Sequence, residues 1–253
     1  MKIEFYGITN CGPYRNVNQD SFCCANILYA NTRRLSFPSK KSILVEEDEP
    51  FIFAVADGMG GHEGGEEASK FALEGICEKV KYSNFAAGNI EEILKSKIIE
   101  LHSELNTHSI QRNHKDMGTT LSGVMIYNES MYSFHVGDTR IYTLHNDKVE
   151  LLTIDHSLAW EKKSMVYKHY LTSCLGGGVR TIRVDIKDIS EYFKKENYIL
   201  LTSDGLHEVL DDSFFEEIII ENKDIIKITK LSLQESLFRE SQDNLTIVTM
   251  KFS

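Results

Sequence analysis

The chain has 253 residues, 42% of them hydrophobic, and carries a formal net charge of -10 with a pI near 5.4. That apolar content suffices for one substantial core in a single domain, and the acidic balance argues against nucleic acid or an anionic membrane as partner. No apolar run approaches 18 residues and no signal segment is read at the N-terminus, so a cytoplasmic protein with five reduced cysteines (Cys11, Cys23, Cys24, Cys77, Cys174) is expected.

Taken in chain order, Lys2 to Ile8 and Ser21 to Ala30 read as the first two strands, with Arg15-Asn-Val-Asn-Gln-Asp20 in the loop between them. Residues 31 to 50 are polar and charged, a loop or long hairpin excursion. Phe51 to Ala56 is almost wholly apolar and reads as a buried strand, followed by five glycines within eight residues, where backbone can approach a ligand closely. Ala68, Phe71, Ala72, Gly75, Ile76 and Val80 then repeat at helical spacing, and a second helix is predicted from Asn89 to about His108, where Ile90, Ile93, Leu94, Lys97, Ile98, Leu101 and Leu105 make an apolar stripe broken once by Lys97. Thr119 to Tyr127, Met131 to Val136, Arg140 to His145 and Lys148 to Thr153 are short β-rich runs read as an antiparallel meander. Strands gathered into antiparallel runs with two helices inserted mid-chain point to an α+β layered fold.

Three carboxylates sit where apolar runs stop. Asp57 follows Phe51 to Ala56, Asp204 follows Tyr198 to Ser203, and Asp243 precedes the strand Leu245 to Met250. An oxygen-only donor set of this kind favours a hard divalent cation, Mg²⁺ or Mn²⁺, over zinc. Asp20 and Asp138, in His135-Val-Gly-Asp-Thr-Arg140, are further candidates, and Asp138 also reads as an ordinary hairpin-turn residue.

In this order, the segments RNVNQDS (15–21), AVADGMGGHEGGEEAS (54–69), MGTTL (117–121), FHVGDTRIY (134–142), LTIDHSL (152–158), LGG (175–177), LLTSDGL (200–206) and QDNLT (242–246) resemble the metal-dependent Ser/Thr protein phosphatases of type 2C, and specifically their compact bacterial members. The resemblance spans nearly the whole chain and implies one catalytic domain over residues 1–253. It implies a four-layer α-β-β-α sandwich of two antiparallel sheets flanked by helices. The implied activity is hydrolysis of phosphoserine and phosphothreonine by a water bridging two Mn²⁺ or Mg²⁺ ions, with a third, weaker cation site. Carried over residue by residue, Asp57 bridges two metals, Asp204 and Asp243 complete one, and the Gly58 carbonyl ligates the other. Asp138 serves the third site with Asp204, Asp20 accepts a hydrogen bond from metal-bound water, and Arg15 clamps the phosphate. The implied partners are phosphorylated proteins, substrates of a cognate Ser/Thr kinase in signalling, met by a monomer.

The chain departs from the family pattern at three places. Gln19 stands before Asp20 where Glu is frequent. Met59 replaces the histidine that eukaryotic members place after the Asp-Gly, and His62 reads as a solvent-facing loop residue, so the general acid has no match. The stretch between Ser157 and Gly176 is short for a flap beside the cleft. Substrate choice is therefore assigned to the shortened region Leu158 to Cys174 and to the excursion Asn31 to Glu49, with Arg33, Arg34, Lys40 and Lys41. A catalytically inactive phosphatase-like binding module stays open as an alternative, as does another two-metal hydrolase. The absence of a basic patch counts against a nuclease.

Overall fold

A computed structural model describes all residues except 31–33, 37–40, 46–48, 60, 115, 146 and 165–169. The strand Phe51–Met59 shows how the sequence builds it. Phe51, Phe53 and Val55 face one core, while Ile52, Ala54 and Ala56 face another. Both sides of this strand are buried, which is why the run is apolar without alternation.

In chain order the first strands are β1 (Lys2–Asn10), β2 (Asp20–Cys24), β3 (Ile27–Tyr29), β4 (Arg34–Ser36), β5 (Lys41–Leu44) and β6 (Phe51–Met59). Helices α1 (Gly61–Lys81) and α2 (Ile90–Arg112) precede β7 (Gly118–Thr119), β8 (Leu121–Tyr127), β9 (Ser130–Val136), β10 (Arg140–His145) and β11 (Lys148–Leu151). Then come α3 (Leu158–Lys162), β12 (Leu175–Gly176), β13 (Asp185–Asp188), β14 (Tyr198–Thr202), α4 (Asp204–His207), α5 (Asp212–Asn222), α6 (Ile225–Phe238) and β15 (Leu245–Phe252). The glycine run is thus not an open turn, because α1 starts inside it at Gly61.

One antiparallel sheet runs β11-β10-β14-β15-β1-β4, with β5 also on β1. The other runs β12-β7-β6-β8-β9-β13, with β2 on β6 and β3 on β2. The sheets pack face to face, as in the edge-on contact of the Phe5 and Phe53 rings at 5.3 Å. Helices α1 and α2 cover the second sheet, and α5 and α6 cover the first, giving the expected α-β-β-α order. Helices α2, α5 and α6 each have a physical start. Asn89 accepts the Glu91 N–H at 2.9 Å, Asp211 accepts the Phe214 N–H at 2.9 Å, and Asp224 accepts the Ile226 N–H at 2.9 Å. Leu94, Ile98, Leu101 and Leu105 of α2 are fully buried, as the stripe required.

The four-strand meander does not form. β8 pairs with β9 and β10 with β11, but the chain changes sheets between β9 and β10 at Gly137, whose φ of 109° is open to glycine. The run Ser21 to Ala30 is likewise two strands, broken where Ala25 and Asn26 take positive φ. Residues 31–50 contribute β4 and β5 to the edge of the first sheet. Arg33, Lys40 and the side chains of Arg34 and His62 lie outside the described residues; Lys41 donates to the Tyr29 hydroxyl at 2.8 Å.

Gly123 of β8 lies opposite Ala54 and Phe134. A Cβ there would strike the Phe53 carbonyl and fall 2.6 Å from the Ala54 Cβ and 2.7 Å from the Phe134 ring. Gly123→Ala is therefore expected to cost about 1–3 kcal/mol by overpacking. A lower urea midpoint checks it, and an unchanged midpoint would contradict so tight a contact.

Candidate active site

Strand alternation aims the first two carboxylates. Phe53 and Val55 face the space between the sheets, so Asp57, two residues on, faces it too; Phe22 and Cys24 do the same for Asp20. Asp20 and Asp57 are direct partners in the β2–β6 ladder. Like charges at such a cross-strand pair repel.

The backbone of Asp57 is clamped on both sides. Its N–H donates to Thr120 Oγ1 at 2.9 Å, and its carbonyl accepts from the Thr120 N–H and the Thr119 hydroxyl, both at 2.9 Å. Asp204 opens α4 directly after β14. Gly205 fits there because a Cβ would strike the Asn244 carbonyl, which keeps the Asp204 and Asp243 segments together. Asn244 in turn accepts the Gln19 N–H at 2.8 Å and donates to the Cys11 and Val17 carbonyls at 2.9 and 3.1 Å, fixing the loop that carries Arg15. Asp138 lies in the crossover between the sheets.

These segments meet at one end of the sandwich, around a cleft of about 670 Å³. Arg15, Asp57, Gly58, Asp138, Asp204 and Asp243 all line it. Asp20 does not; it is 1% exposed behind Asp57, accepting the Ser203 hydroxyl at 2.7 Å. Arg15 is half exposed and lies on Asp243, Nη2 to Oδ2 2.6 Å, with Nε donating to the Gln242 carbonyl at 3.3 Å. Six of the seven expected residues thus share the cleft and the seventh backs it. Sequence reasoning gave no role to Ser203, Thr119, Thr120 and Asn244, although all four fall inside the quoted segments. It also missed the cleft wall Tyr14, whereas Tyr170, Leu171 and Cys174, which line the cleft too, lie in the stretch to which substrate choice was assigned.

Burial, and then the charges of Asp20, Asp204, Asp243 and Asp138, hold the Asp57 carboxyl well above the usual carboxylate range. Burial, then Asp138 and Asp243, does the same to Asp204. Burial pushes Asp20 up to about 7 against the hydrogen bond from Ser203, and burial with the Asp155 charge pushes Asp138 up to about 7. The donor set fits a hard divalent cation: the groups are all oxygens, and Asp20 Oδ1 and Asp204 Oδ1 are buried without a hydrogen-bond partner. Among the described residues no three such side chains already close around one point at ligand distance. The carboxylates surround a cleft and share it.

These shifts give a stability signature. Carboxyls whose folded pKa is raised bind protons more tightly folded than unfolded, so their contribution to stability falls as pH climbs from about 4 towards 7. With chelator present, Asp57→Asn should melt above the wild type at pH 7.5, and the gap should close as pH falls to about 4. A variant less stable at every pH would contradict the repulsion.

Comparison with known proteins agrees with this geometry. The family model described as Protein phosphatase 2C matches residues 40–234. The serine/threonine phosphatase Stp of Listeria innocua is 28% identical, covering 83% of this chain and 87% of its own. The S. agalactiae serine/threonine phosphatase has the same fold, with a TM-score of 0.82 at 22% identity over 99% of this chain and all of the other. The catalytic domain of the serine/threonine protein phosphatase PstP, solved in complex with two manganese ions, has a TM-score of 0.74 at 19% identity, covering 99% of each chain. With the family match running from β5 into the last long helix, the chain belongs to the protein phosphatase 2C family.

Proposed function

We propose that this protein hydrolyses phosphoserine and phosphothreonine in phosphorylated proteins with Mn²⁺ or Mg²⁺, residues 1–253 acting as one catalytic domain. The observation that carries the reading is the cleft that gathers Asp57, Asp138, Asp204 and Asp243 with one arginine at its lip. Asp57, Asp204, Asp243 and the Gly58 carbonyl would hold two cations, and Asp138 with Asp204 a weaker third. When bound, such cations would neutralise phosphoryl oxygens and acidify a water.

The chain's own groups do the rest. Arg15 already donates to an anion, the Asp243 carboxylate, through Nη2 alone, while its Nε rests on the Gln242 carbonyl. A phosphate offers two oxygens to the whole fork, so the guanidinium would pass from the carboxylate to the substrate. Asp20, fixed by Ser203, backs Asp57 and keeps its charge directed outward. Tyr14 and Tyr170, 53% and 60% exposed, stand at the rim as neutral walls for the residues beside the phosphate. Met59 lines the cleft after Asp57-Gly58 and offers no proton to the leaving alkoxide. The partners are phosphoproteins made by a cognate Ser/Thr kinase, met by a monomer in the cytoplasm. No helix of the described residues is long and apolar enough to cross a membrane. An inactive binding module is disfavoured because Asp57, Asp138, Asp204 and Asp243, the carboxylates this reading needs, all line the cleft.

The test is release of phosphate from a phosphothreonine peptide with Mn²⁺ and with excess EDTA. Hydrolysis should need the cation and vanish in Asp57→Asn; full activity in EDTA would overturn the reading. Arg15→Lys keeps the charge but loses the fork. A charged hydrogen bond of about 1.5–3 kcal/mol corresponds to a fall of about tenfold to a hundredfold in kcat/KM, with cation content unchanged. An unaltered kcat/KM would place Arg15 away from the phosphate.

A further inference from the structure

The turn Gly137 to Arg140 has an asymmetry. Asp138 faces the cleft, and each of its neighbours in the turn is tied elsewhere. Gly137 exchanges two hydrogen bonds with His156: its carbonyl accepts the His156 N–H at 2.7 Å, and its own N–H donates to His156 Nδ1 at 3.2 Å. Thr139 is held by Ser122, with the hydroxyls 2.6 Å apart and Ser122 donating to the Thr139 carbonyl at 3.0 Å. Arg140 closes a two-pronged ion pair on Asp155, at 3.0 and 2.8 Å.

His156 is itself fixed. Because the Gly137 N–H donates to Nδ1, the ring proton sits on Nε2, which meets Asp185 Oδ2 at 3.2 Å; Arg183 holds that carboxylate with two prongs, Nη2 to the same Oδ2 at 2.7 Å and Nε to Oδ1 at 3.0 Å. The ring is 1% exposed and packs on His135, centroids 4.5 Å apart. The His156 carbonyl accepts the Thr172 N–H at 2.7 Å, and Ser157 bridges to Leu171, a cleft wall. Residues 155–157 thus strap the Asp138 turn to the segment that walls the cleft.

From this we infer that His156 is a positioning residue for the phosphatase reaction: its Nδ1, anchored through Nε2 on Asp185, sets the aim of Asp138 into the cleft. The inference rests on the phosphatase reading above. Ligand supports of this kind change cation affinity or activity by about 10- to 100-fold when removed. His156→Asn keeps an acceptor near the Nδ1 position; His156→Gln keeps a polar group near Nε2 and loses that acceptor.

The experiment combines kinetics on a phosphothreonine peptide with calorimetric Mn²⁺ titration of wild type, His156→Gln, His156→Asn, Asp185→Ala, Asp138→Asn and the double variant His156→Gln/Asp138→Asn. His156→Gln should lose about tenfold in kcat with little change in KM, and weaken the same cation-binding step that Asp138→Asn weakens, leaving the tighter step alone. His156→Asn should recover most of the loss, and the double variant should be no worse than Asp138→Asn alone. Asp185→Ala, at a partly exposed side chain, should weaken the same step with the fold intact, and decides the matter if His156→Gln melts below the assay temperature. Additive losses in the double variant, equal losses in the Asn and Gln variants, or an unchanged titration in Asp185→Ala would each overturn the inference. An inactive wild type in Mn²⁺ would instead overturn the phosphatase reading.

Discussion

Carboxylates that face one another at one end of a sandwich of two sheets are the constraint on which the rest of this molecule turns. At an effective dielectric near 20, two like charges 4 Å apart repel by about 4 kcal/mol, against a total stability of roughly 5–15 kcal/mol for a domain. The chain meets this with directed support. Ser203 donates to Asp20, Thr119 and Thr120 hold the Asp57 backbone, Asn244 ties the Arg15 loop to the Asp243 segment, and Arg15 lies on Asp243. The remaining repulsion is expressed as carboxyls that hold protons far above their usual range. A cluster that prefers protons at pH 7 is also one that prefers divalent cations, and stability yielded there becomes binding strength.

Two layers of apolar packing make the arrangement rigid enough to be useful. The strand that delivers Asp57 is buried on both faces, so its end cannot shift without disturbing the core between the sheets and the core beneath α1 and α2. Asp204 and Asp243 come from neighbouring strands, β14 and β15, joined in register from Thr202 and Ile247 inward. Asp138 alone comes from a crossover without a ladder of its own, and there the strap of residues 155–157 takes the place of a strand. Arg15, on a half-exposed loop, is the adaptable part of the cleft.

Much of this was legible in the sequence where one local signal implied one local structure. Phe51 to Ala56 announced a buried strand and hence the placement of Asp57; the stripe of Leu94, Ile98, Leu101 and Leu105 announced α2. The resemblance of the motifs supplied the sandwich and gathered the acidic residues before any distance was known. What stayed hidden depended on distant pairing. A hairpin turn and a crossing between sheets look alike around Gly137-Asp138, so the meander was expected where the chain changes sheets. The break at Ala25-Asn26 has no glycine to mark it. The caps Asp211 and Asp224 did signal α5 and α6, but the pattern reading stopped at the strands. The pairing of Arg15 with Asp243 joins residues 228 apart in the chain, which no periodicity reveals.

The central claim is that these strand-end carboxylates form one divalent-cation centre. Anomalous diffraction at the manganese edge from crystals grown with Mn²⁺ tests it most directly. The account predicts peaks within the cleft, in contact with Asp57 and with Asp204 or Asp243, and Arg15 released from Asp243. Manganese bound elsewhere, or a cleft without an anomalous peak at saturating Mn²⁺, would contradict it.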